Sequence, residues 1–88
     1  MSLYEKILGK NATVGVIGIG YVGLPLAVEK ARAGFKVVGF DIQQKRVDMV
    51  NRAENYIGDV DDNELRELVN NGKLRATTNF DELANCDV

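Results

Sequence analysis

Apolar residues fall along the chain in two rhythms that alternate with each other. Ala12-Thr13-Val14-Gly15-Val16-Ile17 is a short, nearly continuous apolar run leading into a glycine, and Lys36-Val37-Val38-Gly39-Phe40 is a second. Such runs predict strands buried on both faces of a parallel sheet. Between them, residues 21–33 have helical composition. Pro25 falls in the first turn, where its missing N–H has no intrahelical partner to lose, and Gly34 stops the helix. Residues 44–52 predict a short helix with Val47 and Val50 on one face, and residues 53–60 a loop. A further helix is expected over 61–71. Asp61 and Glu64 have the spacing of a capping box, Leu65, Leu68 and Val69 form a buried stripe, and Gly72 follows as the cap. Residues 73–77 predict a third strand, 81–84 a helical turn, and Asp87-Val88 the approach to another strand. Residues 1–10 read as an amphipathic lead-in, with Leu3, Ile7 and Leu8 at helical spacing.

Composition narrows the function classes. With 88 residues, 45% hydrophobic and 27% charged, the chain is one ordinary globular domain at most. No apolar run approaches the roughly 20 residues of a membrane-spanning helix. One cysteine, Cys86, and no histidine leave nothing for an internal disulfide framework, a structural zinc site or a Ser/His/Asp triad. The lone thiol points to a reducing, cytoplasmic setting. Net charge is −2, but residues 1–53 carry eight Lys/Arg against four Asp/Glu, and residues 54–88 three against nine. The acidic half argues against nucleic acid, while the basic half suits a small phosphorylated ligand.

Gly18-Ile19-Gly20-Tyr21-Val22-Gly23 is a G-x-G-x-x-G set between an expected strand and an expected helix, with an acidic residue, Asp41, ending the next strand. That context, more than the hexapeptide, makes it a dinucleotide-binding signature. Gly18 permits the tight turn, Gly20 lets a pyrophosphate approach the backbone, and Gly23 lets the helix pack on the sheet. The N–H groups of Tyr21 and Val22, at the positive end of the helix dipole, are the expected phosphate donors. Asp41 is placed to accept hydrogen bonds from the adenosine ribose hydroxyls and would repel a 2′-phosphate, so the cofactor read here is NAD rather than NADP. Arg46, five residues on, is placed to touch the same ribose or a 2′-phosphate, the alternative being a solvated surface arginine. Cys86 has no local base and is not expected to act as a nucleophile. Tyr56 is assigned to loop packing, and the Asp59, Asp61, Asp62 group to capping and solvation rather than to a metal.

Strand–helix–strand–helix–strand with this motif predicts an α/β, Rossmann-type three-layer fold whose parallel strands run 3-2-1-4. The first strand is interior only beside a fourth, which the chain would reach just as it ends. Residues 1–88 are therefore expected to be the N-terminal part of an NAD-binding domain, truncated before or at the fourth strand of a longer enzyme.

The run from Val16 to Ala27, with its Gly20-Tyr21-Val22-Gly23-Leu24, resembles the opening of the UDP-glucose/GDP-mannose dehydrogenase family. Gly39-Phe40-Asp41-Ile42, Asn55-Tyr56-Ile57-Gly58-Asp59-Val60 and Gly72-Lys73-Leu74-Arg75-Ala76-Thr77-Thr78 continue the likeness, which is nearest the branch acting on UDP-N-acetylhexosamines. The resemblance implies oxidation of a nucleotide sugar's C6 alcohol to a carboxylate with two NAD+. The implied route is a cysteine-bound thiohemiacetal and thioester, assisted by a lysine and an asparagine. Those residues lie outside this chain and Cys86 does not match the nucleophile, so no catalytic residue carries over. Tyr21 and Val22 match the family's pyrophosphate-binding amides, Asp41 its ribose acceptor and Arg46 its basic ribose contact. The UDP-sugar site and a homodimer interface are implied for segments beyond this one. Two other readings share the cofactor motif: a nucleotide-sensing regulatory module and a different NAD-dependent dehydrogenase.

Overall fold

The computed structural model describes residues 12–87 apart from Tyr21, Ile57 and Asp59. The lead-in over residues 1–10 and Val88 lie outside the described residues. Strand β1 (Thr13–Ile17) is followed by helix α1 (Gly23–Arg32), β2 (Lys36–Phe40), α2 (Gln44–Asn51), α3 (Asp62–Asn70), β3 (Leu74–Thr77) and a 3-10 segment (Phe80–Asn85). Each element lies where the hydrophobic pattern puts it. Helix α3 opens on one half of the expected capping box: the Asp61 carboxylate accepts the Glu64 N–H at 2.9 Å, while the Glu64 carboxylate meets Arg32 at 3.4 Å.

All strand pairings are parallel and the sheet order is β1-β2-β3, three strands of the expected 3-2-1-4. Thr13 pairs with Lys36 and Ile17 with Phe40, so β1 and β2 end level with each other. This brings the glycine turn after Ile17 alongside Asp41. One sheet face, carrying Val16, Val37, Leu74 and Ala76, meets Leu24, Ala27 and Val28 of α1, Val47 and Val50 of α2, and Leu65 of α3 in a single apolar cluster. Alternation along β2 turns Val38 and Phe40 to the other face. There the Phe40 ring meets Phe80 at 5.7 Å between centroids, tilted by 54°. The 3-10 segment thus supplies the cover on that side.

Strand β1 departs from its expected burial. Only Val16 is buried; Thr13, Val14 and Gly15 are half-buried and Ile17 is 65% exposed. The cause is topological: among the described residues, β1 has a strand on one side only. Its outer edge and α1 frame an open groove lined by Val14, Val16, Ile17, Val22, Leu26 and Lys30. At the start of that edge the Asp87 N–H donates to the Thr13 carbonyl at 2.8 Å, and the Thr13 N–H to the Asp87 carboxylate at 3.0 Å. Asp87 therefore meets β1 at the position where the next strand is expected to begin.

The opposite edge is closed by a side chain. Val37 and Asp41 donate to the carbonyls of Lys73 and Thr77, so the peptide groups of Ala76 face outward from β3. The Asn51 carboxamide takes both, accepting the Ala76 N–H at 2.8 Å and donating to its carbonyl at 2.9 Å. One side chain at the end of α2 thereby satisfies Ala76 as a neighbouring strand would. Leaving either group buried and unmatched would cost about 1–3 kcal/mol.

Candidate functional site: the glycine turn and Asp41

The turn between β1 and α1 depends on backbone that side chains would obstruct. Gly18 has a φ of +82°, in the left-handed region, and its N–H donates to the Phe40 carbonyl at 2.7 Å. A Cβ on Gly23 would stand 1.5 Å from the Gly18 carbonyl oxygen, so the helix start and the turn are in direct backbone contact. Helix α1 has no side-chain N-cap. Among the described residues, no acceptor takes the Gly20 or the Val22 N–H. An uncapped helix start behind an open glycine turn is the arrangement that receives an anion. Val22 is 81% exposed beside it, and Tyr21 lies outside the described residues.

Asp41 is 5% exposed, the buried charged residue of the core's upper end. Its Oδ1 accepts the Gln43 N–H at 2.9 Å, and its Oδ2 accepts the Ile19 N–H at 3.1 Å and Arg46 Nη1 at 3.4 Å. Burial pushes the carboxyl up. The amides of Gln43 and Ile19 and the Arg46 guanidinium more than offset it and hold the group below its ordinary value. The carboxylate is thus charged at neutral pH and has about one lone-pair position unfilled on Oδ1. Arg46 lies across the gap between Asp41 and the turn. The site a Gly20 Cβ would occupy is 3.5 Å from Arg46 Nη1. Gly18, Gly20, Gly23, Asp41 and Arg46 are therefore brought together as the spacing implied.

Two residues of this neighbourhood belong to the site without being marked by the motif. A Cβ on Gly39 would come within 2.7 Å of Ile19 Cγ2, so β2 is bare there to seat the Ile19 side chain. A glycine inside an apolar strand is a signal for such close approach. Tyr56, expected in loop packing, does pack against the core, but its hydroxyl also donates to the Ile19 carbonyl at 2.5 Å. No local signal marks that contact, which spans 37 residues of sequence. Cys86 lies half-buried beside Gly15 on the far face, where burial pushes its thiol up and away from the nucleophilic thiolate. No group of three or more potential metal ligands occurs among the described residues.

The fit to a dinucleotide rests on this geometry: a turn whose Gly18 is in the left-handed region and whose Gly23 has no room for a Cβ, amides at a helix start with no acceptor among the described residues, and a charged acceptor one strand away. Residues 12–88 match the family model for the UDP-glucose/GDP-mannose dehydrogenase family, NAD binding domain. The chain belongs to that family. It is 44% identical over 68 residues to the UDP-N-acetyl-D-mannosamine dehydrogenase of Escherichia coli K12, covering 76% of this chain and 16% of that protein. It is 42% identical over 79 residues to the UDP-N-acetyl-D-glucosamine 6-dehydrogenase of Pseudomonas aeruginosa, covering 90% of this chain and 18% of that one. Among solved structures, the UDP-D-ManNAc dehydrogenase of Pyrococcus horikoshii superposes with a TM-score of 0.73 at 34% identity, over 81% of this chain and 17% of that one.

Within the family, the matched region is the domain that binds NAD, and the fold is the Rossmann-type parallel sheet that the sequence predicted. The chain spans under a fifth of the length of these relatives. Membership disfavours the free-standing regulatory module and the unrelated dehydrogenase.

Proposed function

We propose that this chain is the N-terminal NAD-binding part of a nucleotide-sugar 6-dehydrogenase. The full protein oxidises the C6 alcohol of a UDP-sugar, a UDP-N-acetylhexosamine or UDP-glucose, to the carboxylate with two NAD+. The observation that carries this is the junction of an open glycine turn with a buried, charged Asp41, in a chain whose relatives include a UDP-N-acetyl-D-mannosamine dehydrogenase and a UDP-N-acetyl-D-glucosamine 6-dehydrogenase. Gly18, Gly20, Tyr21, Val22 and Gly23 form the pyrophosphate loop, Asp41 accepts from the adenosine ribose, and Arg46 closes over the same ribose. A ribose hydroxyl needs only the unfilled position on Asp41 Oδ1 and the place held by the long 3.4 Å Arg46 contact. The UDP-sugar and the catalytic groups belong to parts of the protein outside these 88 residues, as does the surface of a cytoplasmic homodimer.

The stoichiometry of the gene product tests this reading. Incubated with limiting UDP-sugar and excess NAD+, it should form two NADH per sugar consumed and leave a uronate. One NADH per sugar, with an aldehyde as product, would contradict the carboxylate-forming reaction. No NADH with any UDP-sugar would contradict the reading as a whole.

A further inference from the structure

Ile19, between the two first glycines of the turn, is held at three points. Its N–H donates to Asp41 Oδ2 at 3.1 Å, its side chain is 1% exposed and faces bare Gly39, and its carbonyl accepts the Tyr56 hydroxyl at 2.5 Å. The third contact has a consequence for the loop. The Ile19 carbonyl and the Gly20 N–H belong to one planar trans peptide and point in opposite directions. A donor fixing the carbonyl on the Tyr56 side therefore fixes the Gly20 N–H on the other side. Among the described residues that N–H has no acceptor.

We propose that Tyr56 is a positioning residue of the dinucleotide loop, whose hydroxyl, by holding the Ile19 carbonyl, aims the Gly20 N–H at the pyrophosphate. The inference rests on the reading of residues 18–23 as the pyrophosphate loop. Tyr56 reaches the loop from the connection between α2 and α3, and Asp41 and Arg46 are the charged groups that face it. Burial pushes the phenol up to about 12, with Arg46 lowering it and Asp41 raising it, so it stays a protonated donor throughout the neutral range. The phenyl ring packs against the core independently of the hydroxyl, so the bond can be removed with the packing left in place.

Tyr56→Phe removes the donor alone. Affinities of the purified protein for NAD+, ADP-ribose and adenosine, measured well below its melting temperature, separate the possibilities. Both pyrophosphate ligands should weaken by roughly three- to tenfold, the scale of one ordinary hydrogen bond, with adenosine unchanged. Unchanged affinities for all three, with a lower melting temperature, would make Tyr56 a packing residue and overturn the proposal. An equal loss for adenosine would overturn it too, placing Tyr56 against the nucleoside instead of behind the loop. A wild-type protein that binds none of the three would overturn the loop reading and this inference with it. Failure confined to the variant comparison falls on Tyr56 alone.

Discussion

A Gly23→Ala protein is expected to melt about 15–30 °C lower than the wild type, or to show no cooperative transition, when thermal unfolding is followed by circular dichroism. The added Cβ would need the space 1.5 Å from the Gly18 carbonyl oxygen and 2.7 Å from its carbonyl carbon. Those atoms are backbone and no rotamer change relieves the overlap. Either α1 tilts away from β1 or the turn opens, and both strip contacts from Leu24, Ala27 and Val28 in the core. Losses of more than about 4 kcal/mol come from mechanisms of this kind. In a domain of this size each kcal/mol lowers the melting temperature by about 4–8 °C. Total stabilities of small domains are only about 5–15 kcal/mol, so the variant would be largely unfolded at growth temperature. A melting temperature within a few degrees of wild type would show that the contact between Gly23 and Gly18 is not tight in solution.

The second large effect is on binding. Asp41→Ala should weaken NAD+ by about ten- to a hundredfold, since a hydrogen bond to a charged group contributes roughly 1.5–3 kcal/mol. The same change leaves the Ile19 and Gln43 amides and Arg46 without their acceptor, so stability falls as well. Asp41→Asn keeps the shape and one accepting oxygen but turns its NH2 toward the Gln43 or the Ile19 N–H, so some stability is lost with it too. It removes the charge, and should raise the affinity for NADP+ relative to NAD+. The pH dependence has a defined sign. The folded carboxyl lies below its ordinary value, so its contribution to stability is present above the unfolded value and is lost as pH falls through the folded one. The wild type should therefore lose stability more than Asp41→Asn does as the solution is acidified below about pH 4. An Asp41→Ala protein that binds NAD+ as the wild type does would remove the ribose role.

Much of this architecture is legible in one dimension because it is local. The apolar runs, the helix stops at Gly34 and Gly72, and the Asp61 cap each involve neighbours within a few residues. The glycine motif was readable for a related reason: its parts are constrained by a turn and by the strand that follows. What could not be read joins distant segments. The Tyr56–Ile19 bond spans 37 residues and the Asn51–Ala76 pair 25, and nothing in either local sequence announces the partner. Asp41 is intermediate. Its position at the strand end was evident, but its near-complete burial beneath three donors follows from how β1, β2 and α2 come level, which is a property of the sheet register. The exposure of Ile17 has the same origin. Its apolar character belongs to an interior strand, whereas the described sheet leaves β1 at the edge.

Calorimetric titration of the purified protein with NAD+ and with NADP+ tests the central claim most directly. Asp41 is charged and buried at the end of β2, and a 2′-phosphate would have to approach it. NAD+ should bind, and NADP+ should bind at least about tenfold more weakly, the cost of one like-charge contact of modest strength. Equal affinities, or a preference for NADP+, would mean that Arg46 rather than Asp41 governs the ribose end and would contradict the site described here.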